Sequence, residues 1–240
     1  MPLGVVLGTG GFFVFCAWRR RRLAARHAQE EDEAGAAGEA KFGLRASLFE
    51  RPSRWLAIQC PNAGRVQAAL KLHHAVPCSW EEGLVETSEG KLFVSGPISG
   101  WVLVVGPGLP DPAGDVDVCY RFLRALSRKL GNVQFYSANR ALGHHAWALL
   151  EGGEVYRAYA WAGETLWNEG LVTAAERDLG TVCYEYGGET NAFACREMLA
   201  ANTEKVNQLA GRWSLDPAAM APSNWRTQGV VGRLSQARLY

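Results

Sequence analysis

Residues 1–18, at the start of the sequence, carry no charged side chain and run directly into four arginines. Eighteen residues in a helix, at a rise of about 1.5 Å each, span about 27 Å, which is close to a hydrocarbon core of ~30 Å. Long arginine side chains can extend to the headgroups and make up the difference. We therefore expect residues 1–18 to form a single transmembrane helix that anchors the protein.

The four arginines predict the orientation of this anchor. Arginine next to a membrane span is retained on the cytoplasmic side, so the N-terminus should lie outside and the rest of the chain in the cytoplasm. The arginines would contact membrane lipid at the headgroup layer. The six cysteines are scattered without a CxxC pair, which fits a reducing compartment. The predicted membrane-interface residues are Arg19, Arg20, Arg21 and Arg22.

Two other interpretations of the start are weaker. A cleaved signal peptide needs positive charge before the apolar core, and here the charge follows it. A dinucleotide-binding turn would use Gly8 and Gly10 of VVLGTGG, but Phe13 occupies the position of the third glycine and no second strand follows.

Three glycines of the anchor share one helix face. Gly4, Gly8 and Gly11 are spaced i, i+4 and i+7, and the first two form a GxxxG pair. Such a face lets another helix approach closely in lipid, although glycine is also common in membrane helices without this role. The pattern predicts a partner helix, from a second copy of the chain or from another membrane protein.

The remaining chain divides into a linker and one domain. Residues 19–40 change from basic to acidic (EEDE) and contain Gly35 and Gly38, which predicts a short helical extension followed by a flexible spacer. Residues 41–240 have ordinary globular composition and are expected to form a cytoplasmic domain. The net charge of +1 and the lack of a basic stripe in this domain argue against nucleic-acid binding.

Short apolar segments alternate with helical patterns in the domain. Strands are expected at 54–59, within 91–107 on either side of a Gly-Pro turn, and at 132–137; WVLVV is apolar on both faces and should be central. Helices are expected at 62–74 and after Asp115 or Asp117, where the apolar positions repeat with helical spacing until Gly131. The pattern predicts an α+β fold on a mostly antiparallel sheet.

The second half begins with a hairpin. Residues 144–161 are expected to turn at Gly152-Gly153, with Val155 and Arg157 on the same face of the second strand. Two helices should follow, at 191–200 and at 203–213 with Asn202 or Thr203 as cap. The tail after Trp213 is rich in Pro, Ser and Arg and is expected to be irregular and superficial.

The loop AWAGETLWNEG, residues 160–170, is the candidate pocket. Two carboxylates five residues apart and flanked by indoles could hold a sugar, since aromatic faces stack on sugar rings and acids hydrolyse them. The alternative is that the tryptophans belong to the core and the acids are solvated. The candidate pocket residues are Trp161, Glu164, Trp167 and Glu169.

Other chemistry has less support. A nucleophilic Cys78 with His144 or His145 as base is conceivable, but nearby glutamates would raise the thiol pKa. The pairs His73-His74 and His144-His145 lack further ligands at a familiar spacing, so no metal is expected. No cofactor motif is present, and we expect none to be bound.

The sequence therefore favours a single-pass, tryptophan-rich membrane protein whose cytoplasmic domain mediates protein–protein interaction as an accessory or scaffold subunit of a membrane assembly. The partner would be another protein or a second copy held through the anchor. A tethered hydrolase, using loop 160–170 or a Cys/His pair, is the alternative, and a glycan or small-ligand binder that uses the tryptophans is a third possibility.

Overall fold

The computed structural model describes residues 53–87, 90–187 and 192–234; the predicted anchor and linker lie outside this part. Within it, nine strands form one antiparallel sheet with helices on both faces, so the predicted α+β class is confirmed. The strand order is β2-β9-β3-β4-β1-β5-β6-β7-β8. None of the helices in the described ranges has both the length and the apolar character that crossing a membrane requires.

The strands are β1 (Ser53–Gln59), β2 (Leu72–Cys78), β3 (Leu92–Val94), β4 (Trp101–Val105), β5 (Val133–Asn139), β6 (His144–Glu151), β7 (Glu154–Trp161), β8 (Thr165–Glu169) and β9 (Gly229–Leu234). The α-helices are α1 (Ala63–Leu70), α2 (Trp80–Glu86), α3 (Val116–Leu130), α4 (Ala174–Asp178) and α5 (Ala192–Trp213). Two 3₁₀ turns, Pro217–Ala219 and Pro222–Arg226, precede β9.

The helices cover the two faces of the sheet. Helices α1 and α3 pack on one face, called here the α3 face, and helices α2, α4 and α5 pack on the other, the α5 face. Helix α3 starts at the N-cap Asp115, buries the apolar positions expected from its spacing, and ends at Gly131, as predicted. The α5 face holds most of the buried aromatic side chains of the described ranges: Trp55, Trp80, Phe93, Tyr136, Trp147, Tyr159, Trp161 and Trp225.

The hairpin of β6 and β7 forms as predicted, with positive φ angles of 60° and 93° at Gly152 and Gly153. One detail of the prediction is wrong. Leu149 pairs with Arg157 while Leu150 pairs with Val155, so Tyr156 is an extra residue in β7. This bulge turns Val155 toward the α3 face and leaves Arg157 on the α5 face.

Two predictions near the sheet edge are also wrong. The expected helix 62–74 ends at Leu70, because Lys71 adopts a left-handed conformation (φ 49°) and the chain continues as β2. The expected irregular tail contains β9, which lies between β2 and β3 and pairs with both. The two errors have one cause: each strand needs a partner that is about 150 residues away in sequence.

The predicted pair of helices at 191–213 is a single helix, α5. Asn202 and Thr203, expected to begin the second helix, are buried within α5 and contact His145 of the sheet. Their side chains serve contacts between helix and sheet instead of a helix cap.

Candidate functional site

The tryptophans of the candidate pocket lie on opposite faces of the sheet. Trp161, at the end of β7, packs against Tyr184 on the α5 face, whereas Trp167 on β8 packs edge-on against Tyr120 of α3. Each indole is only 7% exposed. The structure therefore does not bring the two indoles to one side, where a sugar could stack on both.

The two acids of the same loop are exposed. Glu169 stays close to one indole, since Trp167 Nε1 donates to its Oε2 at 2.9 Å. Glu164 lies in the turn between β7 and β8. Within this loop Glu169 is therefore hydrogen-bonded to Trp167, whereas the Glu164 side chain is exposed to solvent.

The sulfur and imidazole groups of the proposed Cys/His pair are also separated. Cys78 ends the edge strand β2, while His144 and His145 begin β6. Six strand spacings lie between β2 and β6, or about 29 Å at ~4.8 Å each. Burial and the nearby Glu82 and Glu86 raise the pKa of Cys78, which keeps it a thiol.

The other predicted histidine pair, His73-His74, lies on β2 and is exposed. Among the residues that the structure describes, no three or more histidine, cysteine or acidic side chains are grouped so that they could hold a metal ion.

Sequence reasoning missed the main polar cluster of the domain, which is centred on Arg157 and Glu176. Both side chains are fully buried. Glu176 Oε1 accepts from Arg157 Nε and from Trp147 Nε1, each at 2.8 Å, while Oε2 accepts from the backbone N–H and hydroxyl of Thr173. Each carboxylate oxygen thus has two donors, which compensates the burial of its charge.

The guanidinium group of Arg157 extends this cluster to the edge of the sheet. Its Nη1 donates to Asn168 Oδ1 at 2.8 Å and lies within hydrogen-bonding distance of the carbonyls of Glu169 and Gly170. Its Nη2 donates to Cys183 Sγ at 3.0 Å. Burial raises the pKa of Cys183 to about 11, although the nearby Arg157 opposes that shift.

This arrangement fastens the segment 170–187, which contains α4, to the α5 face of the sheet. Two local signals could have indicated it. Arginine is unusual in a strand whose other residues are mainly apolar, as in EVYRAYAW. The spacing of Thr173 and Glu176 is that of a capping box, which α4 indeed contains. Neither signal shows that the two would meet.

His145 joins the same face of the sheet to α5. Its Nδ1 lies 3.2 Å from the carbonyl oxygen of Gly143, which can only accept, so Nδ1 carries the proton. Its Nε2 then accepts from Asn202 Nδ2 at 3.4 Å. Burial lowers the pKa of His145 to about 4, so the ring is neutral at pH 7.

The most exposed apolar side chains of the domain include four that lie near the end of β8. They are Leu171 (89% exposed), Tyr156 (59%), Tyr186 (58%) and Val172 (37%), and we call them the β8-end patch. Continuing the β7–β8 register places Tyr156 opposite Leu171. Tyr186 Oη accepts from Asn168 N at 2.7 Å on the outer edge of β8.

Comparison of the chain with known protein families, with curated proteins and with solved structures found no match.

Proposed function

We propose that this chain is a single-pass membrane-anchored interaction module, whose cytoplasmic domain docks through the β8-end patch as a scaffold or accessory subunit of a membrane assembly. The observation that carries the proposal is the patch itself. Four large apolar side chains near one end of a sheet are costly in water, and exposed apolar clusters are typical of interaction sites.

The partner in this proposal is a second copy of the chain. The predicted glycine face of the anchor favours pairing of two helices in lipid. Two paired anchors hold their domains at high local concentration, so a modest patch suffices for association. A twofold axis would then place each patch against its counterpart. Exposed residues of both signs, Glu169, Arg177 and Glu185, lie close to the patch in sequence and could form ion pairs across the axis.

The geometry favours this function over a hydrolase. The indoles of the candidate pocket lie on opposite faces, and Cys78 lies six strand positions from the β6 histidines in the sheet. The tryptophans named in the two core clusters are buried in packing, so they are not available to stack on a sugar.

Site-specific photo-crosslinking tests the proposal. A benzophenone amino acid replaces Leu171 in the full chain, and two differently tagged copies are reconstituted together in lipid nanodiscs. We expect a crosslinked species that carries both tags. The matched control places the same group at Leu142, which is 65% exposed on the turn between β5 and β6.

Equal crosslinking at positions 171 and 142 would overturn docking through the patch. Crosslinking at 171 in native membranes to a different protein, and never between the two tags, would replace the second copy with another partner.

A further inference from the structure

A cleft of about 490 Å³ lies at the end of β2, far from the β8-end patch. Pro77 and Cys78 of β2 contribute to its wall, together with Trp225 from the turn before β9. Trp225 is 7% exposed and its ring packs on that of Trp80, with the centroids 4.9 Å apart. The volume lies within the usual range for small-molecule sites.

Two opposite charges from different segments line this cleft. Glu82 comes from α2, and Arg226 comes from the end of the turn before β9. Glu82 Oε2 accepts from the backbone N–H of Ser79 at 2.8 Å, and this contact lowers the pKa of Glu82 and keeps it ionised.

The carboxylate and the guanidinium group do not neutralise each other. No ion pair within 4.0 Å joins Glu82 to Arg226, and neither forms one with another residue of the described ranges. The amide of Gln228 also lines the cleft, so it offers a further donor and acceptor.

We infer that this cleft binds a small zwitterion with an apolar body, either an amino acid or a short peptide. Its ammonium group meets Glu82, its carboxylate meets Arg226, and its apolar part lies against Pro77 and Trp225. Burial and the nearby Glu82 and Glu86 raise the pKa of Cys78, so the side chain beside the ligand is a neutral thiol. The ligand makes one charge-assisted contact through each of its two charged groups, which gives selectivity for molecules carrying both charges.

Calorimetric titration of the full chain in a mild detergent tests this inference with four probes. L-leucine and the dipeptide Leu-Leu carry both charges, leucinamide lacks the carboxylate, and 4-methylpentanoate lacks the ammonium group. We expect saturable binding of a zwitterion, and binding at least about tenfold weaker for each singly charged probe. Comparison of the affinities for leucine and for the dipeptide identifies which of the two ligand classes, an amino acid or a short peptide, the cleft prefers.

Two substitutions should separate the contributions of the ammonium and carboxylate groups of the ligand. Glu82→Gln should weaken leucinamide and the zwitterions and leave 4-methylpentanoate unchanged, while glutamine retains the capping box of α2. Arg226→Gln should weaken 4-methylpentanoate and the zwitterions and leave leucinamide unchanged. Arg233→Gln, an exposed arginine on β9 outside the cleft, is the charge control.

If neither leucine nor the dipeptide binds saturably at concentrations up to about 10 mM, at which weak binding is still measurable, the inference is overturned. Binding that survives Glu82→Gln and Arg226→Gln unchanged would also overturn it. Because the β8-end patch contributes no residue to the cleft, either failure leaves the proposed docking function standing.

Discussion

Arg157 and Glu176 form an ion pair inside the domain, with Nε and Oε1 2.8 Å apart and neither side chain more than 1% exposed. The pair joins the central part of β7 to α4, which lies 19 residues later in the chain. An ion pair in such a place is expensive to break, because the remaining partner keeps its charge without a counter-ion.

Removing one member of this pair should therefore cost more than removing both. Arg157→Met leaves Glu176 buried and uncompensated, and we expect the free energy of unfolding to fall by about 3–5 kcal/mol. The double variant Arg157→Met, Glu176→Leu should recover part of this loss. Urea denaturation followed by circular dichroism measures both changes.

The matched control for the buried pair is the exposed pair of Arg140 and Glu204, in which Nε and Oε1 are 2.6 Å apart and the side chains are 35% and 57% exposed. Arg140→Gln should change stability by less than about 1 kcal/mol. Equal effects of Arg157→Met and Arg140→Gln would mean that burial does not determine the strength of the first pair.

Two buried tryptophans differ in their hydrogen bonding. Trp147 Nε1 donates to Glu176, whereas Trp55 Nε1 has no hydrogen-bond partner within the described residues. Both side chains are at most 1% exposed, so replacement by phenylalanine removes similar packing at each. We expect Trp147→Phe to destabilise the domain by about 1–2 kcal/mol more than Trp55→Phe, because only the first removes a hydrogen bond to a buried charge. Denaturant midpoints that are equal, or in the reverse order, would contradict this.

The burial of His145 predicts an acid-sensitive fold. The unfolded chain takes up a proton at this histidine near pH 6.5, whereas the folded chain resists protonation until about pH 4. Above pH 6.5 the histidine is neutral in both states, and the free energy of unfolding is not reduced by it. As the pH falls from 6.5 to 4, the free energy of unfolding decreases by a total of about 3 kcal/mol, and below pH 4 this loss does not grow further.

Stability measured between pH 7 and pH 4 checks this expectation. In His145→Gln the stability should depend less on pH over that interval than in the unchanged protein. His144→Gln serves as the control, since His144 is the neighbour in β6 and its side chain is only half-buried. If the two variants retain the same slope, His145 does not cause the acid sensitivity.

Gly170 lies where β8 ends and the fastened segment begins. Its φ of +78° is unfavourable for other residues, and a Cβ there would lie 2.1 Å from the carbonyl oxygen of Tyr156. We expect Gly170→Ala to cost at least about 3 kcal/mol, because the backbone must shift to remove the overlap in addition to the strain. Gly143→Ala, at φ +66° with open space around it, should cost only about 1–2 kcal/mol. Thermal unfolding of the two variants side by side gives the difference.

The predicted anchor can be tested through its glycine face. Gly8→Ile places a branched side chain where the partner helix should approach. We therefore expect the benzophenone at position 171 to give fewer crosslinked pairs of the chain in nanodiscs. Val6→Ile, a change of one methylene off the glycine face, is the control. An unchanged yield of crosslinked pairs in Gly8→Ile would show that the anchors do not pair through these glycines.

The elements that could be predicted from the sequence are those whose signals are local. Helix α3 has its cap, its apolar spacing and its terminating glycine within 17 residues, and the hairpin of β6 and β7 is specified by Gly152-Gly153. Strands β2 and β9 could not be predicted, because their pairing depends on residues far apart in the chain.

The same limit applies to the sites. The composition of loop 160–170 indicated a candidate pocket. The faces on which Trp161 and Trp167 lie, however, depend on the pairing of β7 with β8, which contains a register shift between Ala160 and Trp161. The contact between Arg157 and Glu176 arises from the packing of α4 onto the sheet, which no local pattern specifies. The cleft beside Cys78 likewise forms only when the turn before β9 meets α2.

The position of β9 has a consequence during synthesis on the ribosome. Strand β3, whose three residues are fully buried, needs β9 to cover its outer side, yet β9 leaves the ribosome more than 130 residues later. A nascent chain that stalls before Gly229 would present that apolar edge to chaperones and proteases. The edge of β3 therefore stays uncovered until β9 has been synthesised and has paired with it.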